Sequence, residues 1–111
     1  MVFEGSEKAI ERDVINAAET LGFAVSKTSQ PQRPVGMTVG IPDLYMAHPR
    51  WRLRLWVECK GPGNTPTEAQ RAWHDTEREA GGNVCVVTSV ADLIENLKAM
   101  GAPLDERSGA A

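Results

Sequence analysis

Two short stretches, Gly40-Ile41-Pro42-Asp43-Leu44 and Trp56-Val57-Glu58-Cys59-Lys60, decide how this 111-residue chain is read. In a β-strand, residues two apart point to the same face. Glu58 and Lys60 therefore project together, while Val57 and Cys59 project the opposite way. The alternation extends back through Arg52-Leu53-Arg54-Leu55, so Leu53, Leu55, Val57 and Cys59 form a core side. Arg52, Arg54, Trp56, Glu58 and Lys60 share the other side, which carries too much charge for a dry interior.

A carboxylate beside an ammonium at a sheet surface gains chemical meaning when a second acid is near. If Asp43 ends a neighbouring strand, it and Glu58 can share a divalent cation, with Lys60 alongside. Hard cations such as Mg²⁺ take oxygen ligands and keep several waters. Water made more acidic by such an ion can attack a phosphodiester. Lys60 can orient that water or neutralise the charge developing on phosphorus.

The length allows one domain with a single modest core, expected over residues 1–101, with a flexible tail at 102–111. No run approaches the roughly 20 apolar residues needed to cross a bilayer. Met1-Val2-Phe3-Glu4-Gly5 lacks a basic segment leading into an apolar stretch, so the reading is of an intracellular, cytoplasmic protein. Cys59 and Cys85 both fall in apparent strands and are expected as buried thiols, not a disulfide. Zinc is disfavoured, because Cys59, Cys85, His48 and His74 show no ligand-pair spacing. The net charge of −3 gives no sign of a strongly basic nucleic-acid binder. Local clustering matters more for DNA, and Arg50, Arg52 and Arg54 form one cluster, Lys27 and Arg33 a looser one.

Taken in order, Ser6 caps a first helix whose apolar stripe is Ile10, Val14, Ala17, Ala18 and Leu21, and Gly22 ends it. Glu11 lies at the edge of that stripe, from where a carboxylate can reach past the core toward a site at the sheet. Residues 23–27 alternate like a strand, and Thr28 to Val39 read as a loop. A second strand is expected from Ile41 toward Ala47, then a turn at His48-Pro49-Arg50 with His48 exposed, then the charged strand. Thr65, Pro66 and Glu68 predict the start of a helix with a capping box, running to about Ala80. Its thin apolar side, Ala69, Ala72, Trp73, Thr76 and Ala80, leaves Trp73 to supply most of its burial. Gln70 and His74, one turn apart on another side, can face the site or form a plain surface pair. Val84 to Val87 read as a strand covered on both faces, and Ser89 with Asp92 caps a last helix ending near Gly101. The result is an α/β fold in the order α-β-β-β-α-β-α, a mixed sheet flanked by helices.

The ordered set Glu11, Gly40-Ile41-Pro42-Asp43-Leu44, Val57-Glu58-Cys59-Lys60 and Gln70 resembles the PD-(D/E)XK nuclease superfamily, and within it the virus-type replication-repair nuclease (VRR-NUC) domain. The resemblance covers residues from about 7 to 97 and implies a restriction-endonuclease-like core. By resemblance, Asp43 and Glu58 bind Mg²⁺ or Mn²⁺ together with the Cys59 backbone carbonyl, and Glu11 touches the metal directly or through water. Lys60 assists the attacking water, and Gln70 positions water or substrate. Stand-alone viral and bacterial members are similar to Holliday-junction resolvases, which implies a homodimeric endonuclease of DNA repair or recombination acting on four-way junctions, phage-encoded and working in host cytoplasm. Nicking, flap or restriction-like cutting is the alternative task on the same fold, and a non-catalytic DNA-binding module the alternative without chemistry.

Overall fold

The computed structural model of the chain describes residues 6–28 and 39–104. Its elements are α1 (Glu7–Leu21), β1 (Ala24–Lys27), β2 (Leu44–His48), β3 (Leu53–Cys59), α2 (Glu68–Glu79), β4 (Val84–Val87) and α3 (Val90–Ala99), the order expected from the sequence. Most of the anticipated loop between β1 and β2, Arg33 with it, and most of the anticipated tail lie outside the described residues. The sheet runs β1-β2-β3-β4, with antiparallel pairing from β1 to β3 and β4 parallel to β3. A parallel neighbour cannot be reached by a tight turn, so the chain crosses over through α2.

One face of the sheet makes the core. Leu44 and Met46 of β2, Leu55, Val57 and Cys59 of β3, and Cys85 and Val87 of β4 meet Ile10, Val14 and Ala18 of α1 and Leu93 and Leu97 of α3. The caps of α1 and α3 follow the sequence. Ser6 accepts the Ala9 N–H at 3.1 Å, and Ser89 accepts the Asp92 N–H at 3.1 Å. Both cysteines are buried and unpaired.

Three local expectations are corrected. Strand β2 begins at Leu44 and not at Ile41. Pro42 has no N–H to give a ladder, and the Asp43 carbonyl is taken by the Thr28 N–H at 2.8 Å. Helix α2 is capped by Thr67 and not Thr65, with Gln70 completing the capping box in place of Glu68. Its one fully buried residue is His74, whereas Trp73 is half-buried and meets Trp56 edge-on with ring centroids 5.0 Å apart.

The third correction is His48, which is buried and ends β2. Its Nδ1 accepts the Trp51 N–H at 3.1 Å, so its Nε2 carries the proton and donates to the Leu21 carbonyl at 2.9 Å. The ring also stacks on Trp51 at 3.9 Å. A carbonyl left open at the end of α1 thus finds its donor on a strand. Gly22 makes that approach possible: its φ is 107°, and a Cβ there would lie 2.7 Å from His48 Nε2. Gly22→Ala is therefore expected to cost about 1–2 kcal/mol, read as a fall of roughly 5–10 °C in Tm. An unchanged melting curve would refute the packing of this turn on His48.

Candidate active site

The register of β2 on β3 assembles the site. Leu44 pairs with Val57, so Asp43, one residue before, lies across from Glu58, one residue after. Asp43 is fixed further by its Oδ2, which accepts the Cys59 N–H at 2.9 Å. Gly40, with φ 94°, holds the approach to Asp43 against the first turn of α2, where a Cβ would collide with the Ala69 carbonyl.

The charged side of β3 is not wet at this end. Glu58 is 1% exposed and Lys60 8% exposed, because α2 lies over them. The alternation of β3 separates the two faces as expected, but the expectation of an open charged face fails here. Gln70 Nε2 donates to Glu58 Oε2 at 3.1 Å, and Lys60 Nζ stands 3.7 Å from the same oxygen. His74 Nε2 is 4.0 Å from Glu58 Oε1, and neither of these two buried atoms has a hydrogen-bond partner.

Gln70 does two jobs with one amide. Its Oε1 accepts the Thr67 N–H at 2.8 Å, closing the helix cap, which turns its Nε2 toward Glu58. The sequence assigned no chemistry to His74, although its four-residue spacing from Gln70 placed both on one side of the helix. Here Gln70 holds one oxygen of the Glu58 carboxyl, and His74 stands 4.0 Å from the other.

Glu11 stands apart. Its Oε1 is 3.0 Å from Lys27 Nζ, and it lines an open groove with Glu7, Asn16, Lys27 and Asp43. The Cys59 thiol points into the core on the other face. Among the described residues no three His, Cys, Asp or Glu side chains form a group that could hold a metal ion. The structure brings together Asp43, Glu58, Lys60 and Gln70, leaves Glu11 on the rim, and adds His74.

Electrostatics follow from the crowding. Burial, then the neighbouring Asp43 charge, pushes the Glu58 carboxyl up to about 8. Asp43 is also raised, mainly by burial, against the lowering effect of the Cys59 N–H. His74 is lowered, by burial and by Arg78, so the imidazole facing Glu58 is neutral near pH 7. The distance between His74 and Glu58 is therefore not that of an ion pair. Burial raises both thiols, Cys85 to about 12, which makes them inert.

No family model matches the chain. The protein named "Putative nuclease p44" of Acyrthosiphon pisum secondary endosymbiont phage 1 is 31% identical over 83 residues, spanning 75% of this chain and 83% of that protein. A solved structure described as a VRR_NUC domain is 30% identical, with a TM-score of 0.65 over 84% of this chain and 94% of its own. The chain belongs to the VRR-NUC nuclease family.

The raised carboxyls have a measurable consequence. Between about pH 6.5 and 8 the folded, metal-free protein keeps a proton on Glu58 that the unfolded chain has lost. Stability therefore falls as pH rises through this window, while His74, depressed in the fold, opposes folding only at lower pH. Thermal melts in EDTA should show Tm decreasing from pH 6.5 to 8, with the slope reduced in Glu58→Gln. A Tm that rises over the same range would contradict this arrangement.

Proposed function

We propose that the chain is a Mg²⁺- or Mn²⁺-dependent endodeoxyribonuclease that hydrolyses phosphodiester bonds in branched DNA, foremost the four-way junction. The observation that carries this reading is the facing pair Asp43 and Glu58 with Lys60 at 3.7 Å from Glu58. The donor set fits a hard cation on its own terms. Glu58 Oε1 is buried without a hydrogen-bond partner, and burial together with the neighbouring Asp43 charge raises the Glu58 carboxyl. A divalent ion between them relieves both penalties, and all the donors are oxygens.

In this reading Asp43, Glu58 and the Cys59 backbone carbonyl hold the ion, with Glu11 extending the acidic rim beside Asp43. When bound, such an ion supplies Lewis-acid activation of water and of the phosphodiester. The chain's residues do the rest. Lys60, held near Glu58, presents an ammonium to the phosphate oxygens, where charge grows as the bond breaks. Gln70 fixes the plane of the Glu58 carboxylate, and His74 keeps bulk water off its other oxygen. A two-fold homodimer would present two such sites to two strands of a junction. No helix among the described residues is long and apolar enough to cross a membrane. The phage origin of the 31% identical relative agrees with DNA processing inside a host cell's cytoplasm.

The test is incubation of a synthetic four-way junction with Mg²⁺ or Mn²⁺, mapped at nucleotide resolution beside flap, nicked and linear duplexes. Paired cuts flanking the branch are expected, with linear duplex cut poorly. Asp43→Asn and Lys60→Ala should each reduce cutting by roughly 10²-fold or more, with the fold retained by circular dichroism. Equal cutting of all substrates would exclude junction selectivity, and wild-type cutting by Lys60→Ala would remove the lysine from the mechanism.

A further inference from the structure

The arginine cluster singled out in the sequence is not used by the site. Arg50 and Arg52 sit in the turn from β2 to β3, and Arg54 lies on β3 on the same side as Trp56 and Glu58. All three are exposed. None forms an ion pair with a described carboxylate, whereas Arg12, Lys27, Lys60, Arg78 and Lys98 each stand within 4.0 Å of one. From Leu44 to Val57 the chain holds these three arginines and no acid, in a protein whose net charge is −3. Glu77 of α2 lines the same cleft as Tyr45, Arg54 and Trp56.

Arg52 is also the one described non-glycine residue with positive φ, 54°. Glycine adopts that conformation without a steric penalty. The turn carries a cation where the backbone favours no side chain at all.

We propose that Arg50, Arg52 and Arg54 form a second docking point for the nucleic-acid backbone, binding phosphates several nucleotides from the bond that is cut. The inference rests on the nuclease reading above and extends it to where the substrate lies. A strand rises about 3.3 Å per residue, so Arg54 is ~13 Å from Glu58 along β3, and Arg52 lies in the turn just before the strand begins. One DNA strand advances about 3.4 Å per nucleotide, which sets the Arg54 contact about four phosphates away. The substrate therefore extends beyond the site toward the β2–β3 turn.

The experiment measures binding without cutting. Fluorescence anisotropy of a labelled duplex and a labelled four-way junction is recorded in EDTA across a series of salt concentrations. The proteins are wild type, Arg52→Gly, Arg54→Ala, the Arg50→Ala/Arg52→Gly/Arg54→Ala triple variant, and Lys98→Ala. Arg52→Gly removes the cation while relaxing the backbone, so it keeps the fold. Each lost phosphate contact should flatten the slope of log K against log salt by about 0.9, with Lys98→Ala unchanged. An unchanged slope in the triple variant overturns the proposal. So does a triple variant that keeps the slope but changes sedimentation behaviour, which would make the patch a protein interface. Wild-type protein without salt-dependent binding overturns it too. Normal slopes in a protein that fails to cut DNA with Mg²⁺ or Mn²⁺ would instead fault the nuclease mechanism and leave the docking point standing.

Discussion

The register of β2 on β3 is the constraint on which the site depends. Pairing Leu44 with Val57 and Met46 with Leu55 buries all four side chains at 1% exposure or less. A slip of one residue would turn those side chains out of the core and move Asp43 away from Glu58. The apolar face therefore specifies the polar one. Much of the energy that holds the two carboxyls opposite each other comes from hydrophobic packing one layer away.

The second element of the arrangement is α2, which covers what most sheets would leave in water. A buried carboxylate is costly unless its oxygens are satisfied. Gln70 and Lys60 serve one oxygen of Glu58, while the other has only the distant imidazole of His74. The same helix leaves the opposite end of β3 exposed, so one strand face changes character along its length. It is dry and acidic at Glu58, aromatic at Trp56, and cationic and open at Arg54.

Much of this was legible in the sequence because it is encoded locally. The element order, the Ser6 and Ser89 caps, the Gly22 stop and the two faces of β3 follow from side-chain period and capping chemistry. The start of α2 shows where local information ends. Thr65 with Glu68 and Thr67 with Gln70 are both acceptable capping pairs, and in the second the Gln70 amide also reaches Glu58, a contact no local pattern reports. His48, beside a proline, reads as a turn residue, yet it is buried because a carbonyl 27 positions earlier needs its proton. Likewise the position of Glu11 on its helix was readable, but its pairing with Lys27 depends on how β1 lies against α1. Which layer covers a strand face is a property of the whole fold, and no period reports it.

Helix α2 is attached lightly for an element with so much to cover. His74 is its one fully buried residue, and the helix is also the crossover between β3 and β4. The hairpin that joins the two acids needs only the few residues between His48 and Leu53, whereas the lid over them arrives with a longer excursion of chain. A brief detachment of this helix would leave the antiparallel ribbon and its apolar layer intact while rehydrating Glu58. Access of solvent and ions to Glu58 thus depends on the placement of this one helix and not on the sheet beneath it.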